Sequence, residues 1–340
     1  MGHTFGLKGS NPRVNVLVVG GAGYVGSHAA RRIAAAGHDV WIYDNLSTGH
    51  REACLPERLI EGELADRKTL TKVLTDHKIE AVLHFAACCY VGESVTQPAK
   101  YYQNNVVGTL ALLDALRAAE VSRLVFSSTT AVYGTPDKVP ITEDTPLNPI
   151  SPYGFTKRVV EHALVDYAHA YGLGSIALRY FNASGASREG NLGEDHAPET
   201  HLIPLVLQVA LGQRDKITIF GDDYPTEDGT CVRDYIHVED LAEAHLLALD
   251  AVEPGTCNAM NLGSEHGASV LQVVEACREV TGHEIPVEFG PRREGDPAEL
   301  IADASRAREK LGWQPEFTDI RSIVETAWQW HLEHPDGYSS

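Results

Sequence analysis

The sequence predicts an α/β protein: a doubly wound, Rossmann-type parallel sheet followed by a smaller α/β C-terminal lobe. Three observations carry that prediction. Val14-Asn15-Val16-Leu17-Val18-Val19 is a short, almost continuously apolar run, which is how a strand buried on both faces of a parallel sheet reads. It runs into Gly20-Gly21-Ala22-Gly23-Tyr24-Val25-Gly26, with glycines at the first, fourth and seventh places, and an amphipathic helix follows to about Ala36. Five further strand-like runs then alternate with helical stretches as far as Tyr180.

At 340 residues the chain can bury a large core and divide into two lobes. The expected division is an N-terminal tail over 1–13, a first domain over 14–181 and a second lobe over 182–340, with segments around 236–262 returning to the first. A formal net charge of −19 argues against nucleic acid, whose phosphates need a basic face. It also means that any phosphorylated ligand must be held by a local exception to an acidic field. Cys54, Cys88, Cys89, Cys231, Cys257 and Cys277 show no C-x-x-C spacing, so they read as free thiols in a reducing cytosol. The sixteen histidines show no H-E-x-x-H or paired Cys/His spacing, and no metal site is expected. The first thirteen residues lack the apolar core of a signal peptide, and no run reaches the length that spans a bilayer. The expected location is cytoplasmic.

Taken in order, the glycine turn comes first. A turn of this kind between a buried strand and a helix N-terminus lets backbone N–H groups approach a pyrophosphate, aided by the helix dipole. The second strand, 39–43, ends at Asp44, eighteen residues after Gly26. An acid there accepts hydrogen bonds from a ribose diol and repels a 2′-phosphate. Asn45 and Leu46 follow, with no arginine to reverse that choice, so the pattern favours NAD over NADP. Glu61-Gly62-Glu63-Leu64 ends a third strand within reach of an adenine ring. The fourth strand, 81–85, leads to Phe85-Ala86-Ala87, small residues at the sheet edge where ligands of doubly wound folds lie. A long helical stretch, 98–119, carries Asn104, Asn105 and Gly108, and its asparagines need partners, either backbone carbonyls or a cofactor ribose. Ser127-Ser128-Thr129 closes the fifth strand with hydroxyls able to donate to a substrate oxygen. A proline-rich loop precedes Ser151-Pro152-Tyr153-Gly154-Phe155-Thr156-Lys157, where tyrosine and lysine four apart share one helix face. A lysine ammonium beside a phenol lowers its pKa and makes it a general base. The sixth strand is 175–180.

Beyond Phe181 the texture changes to glycines, acids and prolines, with helices expected near 202–211, 238–251, 269–281 and from 319 onward. Short strands are expected at 217–220 and 259–262. Arg233 and Arg293 stand as isolated cations among acids, suited to a diphosphate.

These features together resemble the extended short-chain dehydrogenases/reductases, and within them the UDP-hexose 4-epimerases, over about 14–338. The narrowest marks lie in the second lobe: Tyr224-Pro225-Thr226-Glu227-Asp228-Gly229-Thr230-Cys231-Val232-Arg233-Asp234-Tyr235-Ile236-His237-Val238 and Arg292-Arg293-Glu294-Gly295-Asp296. The resemblance implies tightly held NAD, a UDP-hexose substrate and interconversion of UDP-galactose and UDP-glucose through a transient 4-keto sugar. It implies Tyr153 as the base at the 4-hydroxyl, Lys157 as its cationic partner at the nicotinamide ribose, and Thr129 as a hydrogen-bond partner of the reacting oxygen. Gly20, Gly23, Tyr24, Val25, Gly26, Asp44, Asn45, Glu63, Leu64, Phe85, Ala86, Ala87, Asn105, Ser127 and Tyr180 would contact NAD. Phe181, Asn182, His201, Leu202, Thr218, Ile219, Phe220, Arg233, Arg293, Asp296 and Leu300 would surround the UDP-sugar.

Some positions depart from the family pattern. Thr129 stands where serine is frequent, Cys89 where many members carry a lysine towards the cofactor, and His201 where asparagine is frequent near the uracil. Leu300 falls at the gate of the sugar pocket, where its bulk disfavours an N-acetyl group. Thr130 and Ala131 replace the acid pair of 4,6-dehydratases and the glutamate of related decarboxylases. Epimerases of UDP-pentoses, UDP-uronates or N-acetylhexosamines share nearly all these residues. The alternative from another class is a non-catalytic NAD-sensing regulator, but such proteins usually lose the tyrosine or lysine kept here. The resemblance also suggests a homodimer through the helices around 98–119 and 152–171.

Overall fold

The computed structural model describes residues 13–293 and 296–338. The expected tail, apart from Arg13, and Glu294-Gly295 of the arginine motif lie outside the described residues. The chain forms β1 (Asn15–Val19), α1 (Tyr24–Ala35), β2 (Asp39–Asp44), β3 (Leu59–Glu61), α2 (Arg67–Asp76), β4 (Ala81–His84), α3 (Thr109–Ala118), β5 (Arg123–Ser127), α4 (Pro152–Tyr171) and β6 (Gly174–Tyr180). The larger elements that follow are α5 (Leu202–Ala210), α6 (Val238–Ala251), β7 (Cys257–Leu262), α7 (Val270–Thr281) and α8 (Ile320–Glu333).

The seven strands form one sheet in the order β7-β6-β5-β4-β1-β2-β3, with every pairing parallel. Alternation along β1 shows why the apolar run is continuous. Val16 and Val18 pack into a cluster with α1 and α6, while Leu17 and Val19 face α2, α3 and α4 on the other side. Full burial of each such side chain contributes about 1.5–3 kcal/mol. The reversal of strand order falls between β1 and β4, and ligands of open α/β sheets bind beyond the carboxyl ends of the strands at that point. A later segment completes the sheet: β7 pairs with β6 from Cys257↔Ser175 to Leu262↔Tyr180, and α6 packs on α1.

A separate apolar cluster holds the second lobe together, joining α5, α7 and α8 to the parallel pair Ile217–Phe220 and Val287–Gly290. The single helix expected over 98–119 is instead a short turn, Pro98–Tyr101, then a wider π-helical stretch, Tyr102–Gly108, and then α3. The π stretch carries Asn105, whose Oδ1 accepts from the Cys88 N–H at 2.8 Å and whose Nδ2 donates to the Cys88 carbonyl at 2.9 Å. Backbone, one of the partners expected for Asn105, is thus met, and Nδ2 also donates to Thr156 Oγ1 at 3.1 Å.

Candidate active site

Gly20 leaves β1 with φ +82°, and a Cβ there would lie 2.3 Å from the Ala86 nitrogen. A Cβ on Gly26 would lie 2.2 Å from the Gly20 oxygen. Any side chain at these two places would force the turn away from β4 or from the first turn of α1. The turn therefore keeps bare backbone facing the sheet edge. Tyr24 turns away and donates to the Gly185 carbonyl at 2.6 Å, and Val25 packs against the core. The Gly23 carbonyl accepts from Ser27, which starts α1.

At the end of β2 the Asp44 carboxylate accepts from the Ala22 N–H at 3.0 Å and the Leu46 N–H at 2.8 Å. Burial raises its pKa, while these backbone donors oppose the shift. Asn45 donates to Glu63 at 3.0 Å, and Leu64 is buried beside Gly108. Phe85 and Ala86 follow β4, both N–H groups donating to the Val19 carbonyl, so Phe85-Ala86-Ala87 borders the glycine turn.

The tyrosine–lysine helix is placed by its own first turn. Ser151 caps α4 by accepting from the Gly154 N–H at 3.2 Å, and Pro152 suits the first helical position. Gly154 admits the Ala131 carbonyl, which a Cβ would approach to 2.5 Å. That close approach sets Tyr153 beside Thr129, whose hydroxyl favours the ionised phenol. Lys157 is buried and donates to the Ser127 carbonyl at 2.8 Å, and Ser127 Oγ pairs with the Tyr180 hydroxyl at 2.6 Å.

Burial opposes the lowering of the Tyr153 pKa expected from Lys157. The Lys157 ammonium is 6.0 Å from the Tyr153 ring centroid. Burial, with smaller contributions from Cys89 and Tyr180, pushes the phenol well above its usual range. Burial also pulls Lys157 down to about 8. Desolvation of both groups outweighs a lysine held at that distance by a carbonyl.

In the second lobe Phe181 and Leu300 pack on Val132, Tyr133 and Ile141, just past Thr129. Leu300 pairs in turn with Arg233 across a short parallel bridge. Arg233 is not the isolated cation expected: its guanidinium is ion-paired with Asp296. Arg293 lies 4.3 Å over the Phe220 ring, and the Cys231 thiol feels Arg233, Asp296 and Arg293 together. Thr218 and Phe220 lie on the strand Ile217–Phe220, whose Ile219 side chain enters the core and leaves only backbone for a ligand. Asn182 donates to the Asp234 carbonyl at 2.9 Å, and Leu202 begins α5. His201 has Nδ1 2.9 Å from both Glu194 and Glu199, and its ring centroid lies 6.5 Å from that of Tyr90.

Two groups of residues escape sequence reasoning. Glu161, one turn beyond Lys157, holds Arg179 and the Ser128 hydroxyl inside the first domain. Glu194, His196, Glu199 and His201 converge in the loop before α5. Their spacing follows neither a helical nor a strand period, so no pattern announces the convergence.

A glycine turn closing the first strand of a doubly wound sheet, an acid ending the second, and a Tyr-x-x-x-Lys helix at the same edge define a dinucleotide-dependent redox protein of the short-chain dehydrogenase type. Residues 16–263 match the model of the NAD dependent epimerase/dehydratase family, and the chain belongs to that family. It is 58% identical over 316 residues to the UDP-glucose 4-epimerase of Corynebacterium glutamicum, covering 93% of this chain and 95% of that protein. The UDP-glucose 4-epimerase of Brucella ovis, solved in complex with NAD, is 50% identical with a TM-score of 0.90, covering 93% of this chain and 97% of the other. The Bifidobacterium longum enzyme, solved with NAD+ and UDP, is 38% identical with a TM-score of 0.90, covering 95% and 100%.

Proposed function

We propose that this protein is an NAD-dependent UDP-glucose 4-epimerase that interconverts UDP-galactose and UDP-glucose by transient oxidation at C4. The observation that carries the reading is the meeting of Tyr153, Thr129 and Lys157 beside the glycine turn, in a chain 58% identical to a UDP-glucose 4-epimerase. The residues fit NAD: Gly20 and Gly26 close the turn tightly on Ala86 and on Gly20, Gly23 has only the Gly20 carbonyl within 4 Å of where a Cβ would sit and so leaves backbone open to a pyrophosphate, and Asp44 is a ribose acceptor without an arginine beside it. Gly20 to Gly26, Asp44, Phe85 to Ala87, Ser127, Lys157 and Tyr180 would hold it. When bound, NAD supplies an acceptor for hydride from C4, a source for its return, and a ring cation beside the phenol.

The chain's own residues handle the proton and the position of the sugar. Tyr153 takes the 4-hydroxyl proton and gives it back, and Thr129 hydrogen-bonds the same oxygen. Lys157, fixed by the Ser127 carbonyl, contributes positive charge one helical turn away. Arg233, Asp296, Arg293 and Phe220 anchor the UDP, so that the hexose can present either face while the nucleotide stays fixed. Leu300, with Phe181, leaves a bulky wall at the sugar end and selects plain hexoses over N-acetylated ones.

A face of exposed apolar side chains, including Tyr102, Val107, Leu110, Phe155 and Val165, runs along the helices 98–118 and 152–171 and supports a homodimer. Six free cysteines support a reducing, cytoplasmic setting, and no described helix is long and apolar enough to cross a membrane.

The testing experiment is incubation with UDP-galactose and no added NAD. UDP-glucose should form, and kcat/KM for UDP-N-acetylgalactosamine should be lower by about tenfold or more. Absence of turnover with NAD added as well would refute the activity, and equal kcat/KM for both sugars would refute the role of Leu300.

A further inference from the structure

We propose that Glu194, His196, Glu199 and His201 form a binding site for a first-row divalent metal ion of the zinc class, independent of the redox chemistry. One ligand atom from each of the four residues can be chosen so that all lie within 4.8 Å of one another. The Nδ1 atom of His201 is 2.9 Å from carboxylate oxygens of Glu194 and Glu199. The Nδ1 atom of His196 is 3.3 Å and 3.5 Å from the same two carboxylates. A tetrahedral zinc centre with bonds of about 2.0–2.2 Å has ligand–ligand edges of roughly 3.3–3.6 Å; the two His196 separations match it, while His201, at hydrogen-bond distance from both carboxylates, would move outward by about half an ångström to admit the ion.

Protons alone leave one nitrogen of this arrangement without a hydrogen bond. His196 Nδ1 is buried and makes no hydrogen bond, although two carboxylates stand within 3.5 Å of it. His201 Nδ1 carries at most one proton and faces two oxygens at equal distance. A divalent cation at the centre would answer both nitrogens and neutralise both carboxylates. Two imidazoles with two carboxylates is a donor set that zinc and its first-row neighbours accept and that suits magnesium or calcium poorly.

The surroundings hold the ligands in place. Glu199 Oε1 accepts the N–H groups of Thr200 at 2.6 Å and His201 at 2.7 Å, which fixes its carboxylate. The His196 ring stands edge-on to Tyr24 of the glycine turn and to Tyr90 past β4. Asp195, inside the same segment, accepts from the Tyr338 N–H at 2.9 Å, and its carbonyl is 3.1 Å from His50. All four proposed ligands come from the protein, the form of a structural site. The ion would pin the 194–201 segment across the glycine turn, so its removal loosens one wall of the dinucleotide cradle.

The test uses the full-length chain without an affinity tag, dialysed against a chelator and then titrated with zinc chloride against a chromophoric competitor. The expected result is one equivalent bound at micromolar affinity or tighter, with a rise in unfolding temperature that a chelator reverses. His196→Ala and Glu199→Gln should each weaken binding by at least tenfold. Cobalt(II) in place of zinc should give the intense visible bands of a four-coordinate ion. This spectrum, taken on the unaltered chain, decides the matter where a variant does not fold. Binding only at millimolar zinc, affinity unaffected by both substitutions, or the pale spectrum of six-coordinate cobalt would each overturn the proposal and leave a protonated ion-pair cluster in its place.

Discussion

Tyr153→Phe is expected to lower kcat for UDP-galactose by about 10³-fold, within the 10²–10⁴-fold range of general acid–base catalysis. The substitution removes one oxygen and keeps the ring, so α4 should hold its place, capped by Ser151 and packed on Ala131 through Gly154. The loss should therefore fall on kcat, with NAD content and UDP affinity close to those of the parent. The electrostatics sharpen this expectation. Burial holds the phenol protonated well past neutral pH, and Lys157, itself lowered to about 8, lies 6.0 Å from the ring centroid. In the proposed mechanism the ring cation of the cofactor and the lysine charge act on Tyr153 together against this burial. Turnover assayed beside the NAD released on denaturation separates the roles, and an unchanged kcat would remove Tyr153 from the mechanism.

Glu161→Ala is expected to destabilise the first domain by about 3–5 kcal/mol, the cost of leaving a buried partner charge unpaired. Glu161 and Arg179 side chains are 9% and 6% exposed, so solvent cannot replace the lost carboxylate. Glu161 raises the Arg179 pKa against the pull of burial. The arginine passes the connection to the Tyr133 hydroxyl at 2.8 Å, which donates to Asn261 on β7 at 2.7 Å. One ion pair thus ties α4, β6, β7 and the loop after β5 behind the reacting residues. A fall in unfolding temperature on the order of 5–10 °C is the expected reading. The double replacement Glu161→Leu with Arg179→Met should recover most of it, because no buried charge is then left alone. A drop of under a degree for Glu161→Ala would show that the pair does not support the fold.

The first domain was legible because its determinants are local. Val14 to Val19 had to be a two-sided strand, and the Gly20 and Gly26 positions tolerate no side chain against Ala86 and Gly20. The tyrosine–lysine spacing needed only a helix, and Ser151-Pro152 starts one. What the sequence concealed depends on distant partners or on loop geometry. Arg233 read as an isolated cation because Asp296 is sixty-three positions away, with an intervening helix. The π stretch at Tyr102–Gly108 carries Asn105 to the Cys88 backbone, a distant pairing that no periodicity records. The Glu194–His201 group lies in a loop, where spacing carries no information about direction. Tyr153 and Lys157 lie one turn apart on α4 as their spacing requires, but spacing does not show that burial dominates their titration.

The most direct test of the central claim is the fate of the hydrogen at C4. UDP-galactose carrying deuterium at C4, incubated in ordinary water with the protein and no added NAD, should give UDP-glucose that retains nearly all its deuterium at C4. Retention is required if hydrogen leaves as hydride within the closed complex and returns to the other face while Tyr153 exchanges only the hydroxyl proton. Replacement of the label by solvent hydrogen would contradict a redox cycle at C4 and point to exchange through a carbon acid.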